Sequence, residues 1–224
     1  MQLTVIGKYG PYAVEKGATS CYLVEEKSTK LVLDFGSGAL AKLTDIIKPE
    51  AIDAIFISHL HFDHTSDLLT LRYYLEAKGK KMTVYTAYED SDWYKILFDN
   101  SVFNVINIDR NSEITLKDLK LKFFDTVHAA PNLGIRIESE KVLTYTGDTV
   151  YYNRIADDLS GSDTILIDAM KPDDFMGSHM KLKEAVCLSQ IIKSRFIITH
   201  FCDYTTSDRY DNISYAEELT KYEV

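Results

Sequence analysis

Three of the six histidines in this chain lie within six consecutive positions, in the segment His59-Leu60-His61-Phe62-Asp63-His64. An isolated histidine is usually a polar residue with its own hydrogen-bond partner, but this segment directly follows an apolar stretch that is typical of a buried strand. In an extended turn, His59 and His61 can point the same way and reach one ion. Asp63 and His64 precede a predicted helix and can turn towards a second ion. The segment therefore predicts a metal site held at the end of a strand.

Three further polar residues, His128, Asp148 and His200, also come directly after apolar, strand-like stretches. Such strand ends can converge at one edge of a sheet, and rigid strands hold ligands better than loops do. Imidazole and carboxylate groups suit Zn²⁺ and related divalent ions without any cysteine. Because the two oxygens of Asp148 can bridge two ions, the pattern indicates a dinuclear site.

The length and composition of the chain predict one globular domain over residues 1–224. The net charge of −9 works against binding a polyanion over a broad surface. No apolar run approaches the length of a membrane span. The three cysteines, Cys21, Cys187 and Cys202, are widely spaced and indicate reduced thiols in a cytoplasmic protein, with Cys202 as a packing residue.

Short strands open the sequence, and strands then alternate with helices. Helices are predicted for residues 39–47, 66–78, 89–98, 181–193 and 215–222. The predicted strands are residues 3–6, 22–25, 31–34, 52–57, 82–86, 105–108, 119–127, 133–137, 142–146, 164–167 and 196–199. This pattern predicts sheets that pack against each other and are covered by helices, an α/β (α+β) architecture.

Taken together, these motifs resemble those of the metallo-β-lactamase-fold hydrolases over nearly the whole chain. Residues 20–24 and 31–38 look like the family's opening hairpin and glycine turn. Residues 59–64, 146–149 and 199–200 look like its metal-binding motifs. The resemblance implies a single-domain, four-layer αββα sandwich with two metals at the edge of the paired sheets.

By the same resemblance, the ligands form two sets that share one carboxylate. One metal is bound by His59, His61 and His128, the other by Asp63, His64 and His200, and Asp148 bridges both. Two divalent ions are expected, with Zn²⁺ in the first place and Mn²⁺ or Fe²⁺ as alternatives, because this ligand set suits several metals.

Two later segments are similar to motifs of the ribonuclease Z and phosphodiesterase branch of the family. Residues 167–170 look like the acidic segment of that branch, and His179-Met180 looks like its late histidine motif. Carried over, His179 is a catalytic residue near the leaving group that binds no metal, and Asp168 is its partner. The alternative interpretations are a surface-loop histidine and a simple charge at a strand end. Met180-Lys181 stands where the family usually has a Ser or Thr helix cap, which puts the start of the next helix in question.

The interval from His128 to Asp148 is only 20 positions long and is predicted to form a hairpin. Members that process transfer RNA carry a long Gly/Pro-rich arm in this interval, and no such arm fits here. Together with the negative charge, this argues against a tRNA 3′-processing endonuclease and against extended nucleic-acid binding. A small-molecule substrate is expected instead, with homodimerisation as a further expectation, since relatives in this branch are often dimers.

The mechanism expected from this site is hydrolysis of a small phosphodiester or nucleotide-like substrate by a metal-bound hydroxide. Asp63 would both bind metal and accept the proton of the water. His179, when protonated, would stabilise or protonate the departing alkoxide. His179 and Asp168 favour phosphodiesters over other substrates of this fold.

Three alternatives share part of this pattern. A lactonase or thioesterase would use the same metal set, and Tyr151, three residues after Asp148, stands where lactonases of the fold place a helpful tyrosine; packing is the simpler interpretation of that residue. An iron-dependent redox protein of this fold would have a glutamate in the first motif, where this chain has Phe62-Asp63. A non-catalytic metal-binding module would keep its metal and hydrolyse no activated ester.

Overall fold

A computed structural model describes residues 1–99, 101–169, 171–173, 176–201 and 209–224. The strands in these residues are β1 (Gln2–Gly7), β2 (Cys21–Glu26), β3 (Thr29–Leu33), β4 (Ala54–Phe56), β5 (Met82–Thr86), β6 (Phe103–Asn107), β7 (Glu113–Leu116), β8 (Leu119–Asp125), β9 (Leu133–Glu138), β10 (Val142–Tyr145), β11 (Thr164–Asp168), β12 (Arg195–Thr199), β13 (Ile213–Tyr215) and β14 (Lys221–Glu223). The α-helices are α1 (Ala39–Thr44), α2 (Phe62–Thr65), α3 (Leu68–Lys78), α4 (Asp92–Phe98), α5 (Ile155–Leu159) and α6 (Leu182–Ile191).

The strands form two mixed sheets of seven strands each. The first sheet has the order β14-β1-β2-β3-β4-β5-β6, and the second has the order β13-β12-β11-β10-β9-β8-β7. In each sheet an antiparallel half leads into a parallel half, β3 to β6 in the first and β10 to β13 in the second. Parallel neighbours need crossover connections, and most of the helices lie in these connections.

The first sheet is buried on both faces because its side chains alternate between two cores. Tyr22 and Val24 of β2 belong to the core between the sheets, where Phe56 of β4 stacks on Phe123 of β8 with ring centroids 5.6 Å apart. Leu23 points to the opposite core, which contains buried leucines of α1, α3 and α4. Helix α6 buries its own leucines against the second sheet. The expected αββα sandwich is therefore confirmed.

The C-terminal segment differs from its prediction. Residues 215–222 were expected to form a helix, but β13 ends at Tyr215 and the chain continues into β14, which pairs antiparallel with β1. Tyr222 lies opposite Leu3, is buried, and accepts the backbone N–H of Glu217 through its hydroxyl. The prediction was wrong because it rested on the spacing of apolar residues within the segment. That spacing contains no information on β1, which would be an unpaired sheet edge without β14.

Helix α6 starts without a Ser or Thr cap. The carboxylate of Glu184 accepts the backbone N–H of Lys181 at 2.9 Å, and Met180 is fully buried just before it. An acidic side chain in the first turn and an apolar anchor before it are common devices at helix starts. The helix therefore begins at the predicted place with a different cap.

Four strands lead to one edge of the sandwich, and the three that belong to the second sheet run in the same direction. The four are β4 of the first sheet and β8, β10 and β12 of the second, and His59, His128, Asp148 and His200 follow them. The predicted hairpin between His128 and Asp148 is present as β9 and β10. The topology thus brings together polar residues that are up to 141 positions apart, from 59 to 200.

Two further findings concern composition. Cys21 is buried in β2 and Cys187 is exposed on α6, both as free thiols, whereas Cys202 lies outside the described residues. Among the helices of the described residues, none has the length and apolar character needed to cross a bilayer.

Candidate metal centre

The seven predicted ligands meet in what we call the ligand cluster: His59, His61, Asp63, His64, His128, Asp148 and His200. They form two groups, and within each group the ligand atoms lie within 4.8 Å of one another. The groups contain the same residues as the two sets predicted from the sequence, and both include Asp148. Whether each residue binds a metal stays a prediction, but the placement required for it is present.

The first group is built around His61. Its Nδ1 lies 2.9 Å from Nε2 of His59 and 3.1 Å from Nε2 of His128. Oδ2 of Asp148 lies 3.7 and 3.8 Å from Nε2 of His59 and of His128. Three imidazole nitrogens and one carboxylate oxygen around one point are a ligand set typical of Zn²⁺.

The second group lies on the other side of Asp148. Its Oδ1 is 3.3 Å from Nε2 of His64, and its Oδ2 is 3.3 Å from Nε2 of His200. Oδ2 of Asp63 lies 3.6 and 3.7 Å from the same two nitrogens. A carboxylate with both oxygens engaged in this way can belong to two metal sites at once.

Hydrogen bonds to residues outside the cluster orient the rings of its histidines. Nδ1 of His64 lies 2.7 Å from Oδ2 of Asp34, and Nδ1 of His128 lies 2.9 Å from the carbonyl oxygen of Ser178. A carbonyl oxygen can only accept, so Nδ1 of His128 carries the proton and Nε2 keeps its lone pair. Nδ1 of His59 contacts the Ser58 hydroxyl at 3.1 Å in the same manner. Such contacts fix the tautomer and the ring orientation that a metal ligand needs.

Asp34, which the sequence placed only beside a predicted glycine turn, accepts several hydrogen bonds that support the cluster. Besides His64, it accepts the backbone N–H and the hydroxyl of Ser58 at 2.7 and 2.9 Å and the hydroxyl of Tyr145 at 2.6 Å. All four residues are fully buried. The signal in the sequence was a charged residue at the end of an apolar strand, but its partners are 24 to 111 positions away.

Two other residues that position the cluster were also missed. The side-chain amide of Asn132 donates to the carbonyl oxygen of Asp148 at 2.7 Å, which holds the turn that presents this aspartate. Gly10 lies so close to His200 that a Cβ built on it would overlap the imidazole ring. Only the absence of a side chain at residue 10 leaves room for the ring of His200.

Burial and charge set the protonation of the cluster. Burial lowers the pKa values of His59 and His200 well below the ordinary value of histidine, which favours their neutral forms. Burial disfavours the charge on Asp148, but the nearby imidazoles of His200 and His64 outweigh it and hold the pKa of that carboxyl well below its usual range. Burial lowers the pKa of His64, but the charges of Asp148, Asp34 and Asp63 outweigh it and raise that pKa well above the ordinary value. Neutral imidazoles and an ionised carboxylate are the forms that bind a metal, so a metal at His64 would displace a proton from its ring.

Several buried polar atoms of the cluster have no hydrogen-bond partner among the described residues. They are Oδ2 of Asp63, Oδ1 of Asp148 and Nε2 of both His64 and His200. Leaving such atoms unpaired is costly in a folded protein. A divalent ion bound between them would satisfy all four, so the residues present fit a metal.

His179 and Asp168 form a pair beside the cluster. Nδ1 of His179 lies 2.7 Å from Oδ2 of Asp168, the last residue of β11, and 3.7 Å from Oδ2 of Asp148. The ring of His179 stacks on that of His200 with centroids 5.0 Å apart. Burial lowers the pKa of His179, but the hydrogen bond to Asp168 and the negative charges of Asp168 and Asp148 raise it above the ordinary value. The structure therefore brings His179 and Asp168 together beside the ligand cluster, close enough to Asp148 to form a third group of possible ligands, and the catalytic roles of the pair stay predictions.

A cavity of about 580 Å³ opens over the cluster. His61, Asp63, His128 and His179 line it from the cluster side. Tyr151, the residue that a lactonase would use, is 44% exposed and lies outside this cavity. A small substrate entering here would meet the ligand cluster and His179 together.

Residues 32–201 match the family described as beta-lactamase superfamily domain, and the chain belongs to that family. The two packed sheets and the imidazole–carboxylate cluster at their edge define the class more closely, as a metal-dependent hydrolase of the metallo-β-lactamase fold. The family resemblance stated from the motifs is therefore confirmed.

Individual relatives are distant in sequence and close in structure. The probable metallo-hydrolase YhfI of Bacillus subtilis is 26% identical over 195 residues, which is 83% of this chain and 80% of that protein. Its crystal structure superposes with a TM-score of 0.91 at 22% identity, covering 99% of this chain and 98% of that one.

Two other relatives carry more specific names. Ribonuclease Z of Methanopyrus kandleri is 27% identical over 122 residues, which is 54% of this chain and 44% of that protein. A diphosphatase from the PhnP family superposes with a TM-score of 0.81 at 19% identity, covering 100% of this chain and 97% of that one.

Proposed function

We propose that this protein is a dinuclear metal-dependent phosphodiesterase that acts on a small, nucleotide-like phosphodiester. The observation that carries the proposal is the pair formed by His179 and Asp168, 2.7 Å apart, at the wall of the cavity over the ligand cluster. A histidine held by a buried carboxylate beside a metal cluster is suited to proton transfer.

Two ions fit the cluster because its ligands form two groups that share Asp148. Divalent metals in such a pair supply Lewis acidity and activate water at neutral pH. We expect Zn²⁺, with Mn²⁺ or Fe²⁺ as alternatives. Asp63 is buried in the second group and would hold a metal while accepting the proton of the attacking water at a carboxylate oxygen.

His179 would act at the other end of the reaction. Its bond to Asp168 occupies Nδ1, so the proton for a departing alkoxide has to come from Nε2. Asp168 is 1% exposed and would stabilise the imidazolium form. A poor leaving group such as an alkoxide gains most from this proton, which is why the pair favours phosphodiesters over activated esters.

The relatives support chemistry at phosphorus. One is named ribonuclease Z and another diphosphatase, and both names denote hydrolysis at a phosphoryl group. Residues 128–148 of this chain hold only the hairpin β9–β10, and the net charge is −9. Both features favour a small substrate over extended nucleic acid.

The first test is the variant His179→Ala. We expect turnover of a dinucleoside monophosphate, whose leaving group is an alkoxide, to fall by roughly 100-fold or more, as for loss of a general acid, with unchanged metal content in the purified protein. If metal content fell in parallel with activity, His179 would be a ligand and the assignment would be wrong.

Asp168 needs a matched control because it lies on a strand of the core. Asp168→Asn should lower turnover without loss of metal, whereas Asp163→Asn should leave turnover unchanged. Asp163 precedes the same strand β11 at its opposite end, where it pairs with Lys141. Equal effects of the two changes would indicate general damage to the strand.

Substrate class is tested by comparing a phosphodiester, a phosphomonoester, a lactone and a thioester with the metal-loaded protein. We expect turnover of the phosphodiester. Hydrolysis of the lactone alone would refute the proposal and favour the lactonase alternative.

A further inference from the structure

Phe62 has an unusual position for a large apolar side chain. It lies between His61 and Asp63 of the ligand cluster, yet its side chain remains 66% exposed. It also lines the cavity over the cluster. Exposed rings are common on protein surfaces, but a ring at the wall of a catalytic cavity is available to a ligand.

Trp93 fixes the ring of Phe62 in place. The two rings contact edge to face, with centroids 4.7 Å apart and planes at 64°. The indole N–H of Trp93 donates to the hydroxyl of Thr65 at 3.1 Å, and that hydroxyl donates to the carbonyl oxygen of His61 at 2.9 Å. Trp93 is therefore connected through Thr65 to the segment that carries the ligands.

Apart from the histidines of the site and two serines, the rest of the cavity lining is apolar or acidic. Leu60 and Ala130 continue the apolar surface, and Glu89 lines the same cavity together with Asp63. Among the described residues that line it, none is a lysine or an arginine. Any negative charge of a substrate would thus be neutralised at the metals and not at this wall.

We propose that Phe62 and Trp93 form a binding wall for an uncharged planar ring of the substrate. The proposal rests on the proposed function, since it assigns one substituent of the phosphodiester, with the phosphoryl group at the metals. Stacking on Phe62 needs only a π-face, so a nucleobase and a substituted phenyl group share the chemistry that the wall recognises.

The carboxylate of Glu89 would select among substrate rings by the charge of their substituents. Glu89 lines the cavity together with the rings of Phe62 and Trp93. It would repel a ring that carries a carboxylate and accept a hydrogen bond from an amino group on the ring. Glu89→Gln should therefore reduce discrimination against 4-carboxyphenylphosphonate relative to phenylphosphonate.

Trp93 is the only tryptophan of the chain and so reports binding directly. Its fluorescence is titrated in the Zn²⁺-loaded protein with phenylphosphonate and with methylphosphonate, which share one head group. We expect phenylphosphonate to bind at least about fivefold more tightly, the lower range for stacking on an aromatic side chain. Equal affinity for the two ligands in the wild type would overturn the proposal.

Variants of Phe62 test whether its ring is the source of the preference for the phenyl ligand. Phe62→Leu should reduce the preference for phenylphosphonate over methylphosphonate to less than about twofold. Phe62→Tyr should keep the full preference, because tyrosine retains the aromatic ring. Tyr73→Leu is the matched control, since Tyr73 is 72% exposed on α3 and lies outside the cavity. Persistence of the full preference in Phe62→Leu would also overturn the proposal.

Phe62 lies within the ligand segment, so metal content is measured in every variant. If Phe62→Leu loses metal, Trp93→Ala provides the same comparison by calorimetry, because Trp93 lies outside that segment. Trp93→Ala must also show a smaller preference for the phenyl ligand. An unchanged preference in Trp93→Ala would contradict the proposed binding wall.

A second ligand pair identifies the kind of ring. Adenosine 5′-monophosphate carries adenine at C1′, where ribose 5-phosphate carries a hydroxyl group. A gain for the adenine compound indicates a nucleobase, and a gain confined to phenylphosphonate indicates a simple aryl group. These titrations require no turnover, so a protein that prefers rings but hydrolyses no phosphodiester would refute the proposed function and not the wall.

Discussion

Replacing Asp34 by asparagine tests whether the hydrogen bonds behind the cluster control metal binding. The change keeps the size of the side chain and removes its charge. Asp34 has a positive φ of 55°, a conformation that asparagine tolerates better than most residues. The backbone should therefore stay in place, and the effect should come from the lost acceptor.

The magnitude follows from the four hydrogen bonds that Asp34 accepts. An asparagine has one acceptor oxygen, so its amide group must face at least one donor. If the oxygen takes the place of Oδ2, the amide faces the backbone N–H of Ser58, and His64 loses the negative charge that makes it a stronger ligand. If the amide takes that place, Nδ1 of His64 must accept, and the proton moves to Nε2, which then cannot bind metal. We expect a loss of metal affinity of about 10- to 100-fold and a loss in unfolding free energy of about 1–3 kcal/mol for the metal-free protein.

Metal affinity is measured by competition with a chromogenic chelator, and stability by urea unfolding of the metal-free protein. Asp118→Asn serves as the control, because Asp118 accepts hydrogen bonds from Ser28 and Thr29 far from the cluster. A metal affinity of Asp34→Asn within about twofold of the wild type would refute the reasoning.

Two further changes test the packing around the site. Gly10→Ala should displace His200 and lower the metal content towards one ion per chain, read by elemental analysis, because a Cβ at residue 10 overlaps the imidazole. Phe56→Ala should lower the unfolding free energy by about 3–5 kcal/mol, read by urea denaturation, because Phe56 is fully buried and stacks on Phe123 between the sheets.

Each of these changes has a counterpart that should be mild. Gly79→Ala adds a Cβ that meets no atom within 4 Å and strains only the left-handed backbone, with φ of 61°, at the end of α3, so it should leave metal content unchanged. Tyr73→Ala removes a ring that is 72% exposed and should alter stability far less than Phe56→Ala does. Full metal content in Gly10→Ala would contradict the prediction, because it would show that the loop around residue 10 moves and leaves the ring of His200 in place.

Much of the site could be predicted because its residues have local signals. His59, His61, Asp63 and His64 lie in one short segment, and the remaining ligands come at or just after the ends of apolar strands. Periodicity of 2 and of 3.6 also placed most strands and helices within a few residues of where they occur. These features depend on neighbours in the sequence, which is why reading along the chain finds them.

Residues 215–222 show where this approach fails. Their apolar residues are compatible with a helix, but pairing of Tyr222 with Leu3 across the whole chain makes the segment a strand. Local propensity was outweighed by the hydrogen bonds that β14 provides to the edge of β1. No pattern within eight residues contains that information.

The sequence by itself determined the class of fold, the ligand segment and the expected pair of His179 and Asp168. Only the tertiary structure decided how these ligands are oriented, through Asp34, Asn132 and Gly10, because those contacts join residues from 16 to 190 positions apart. The physical reason is that a metal site needs donors fixed in three dimensions, and hydrogen bonds and close packing between distant segments fix them.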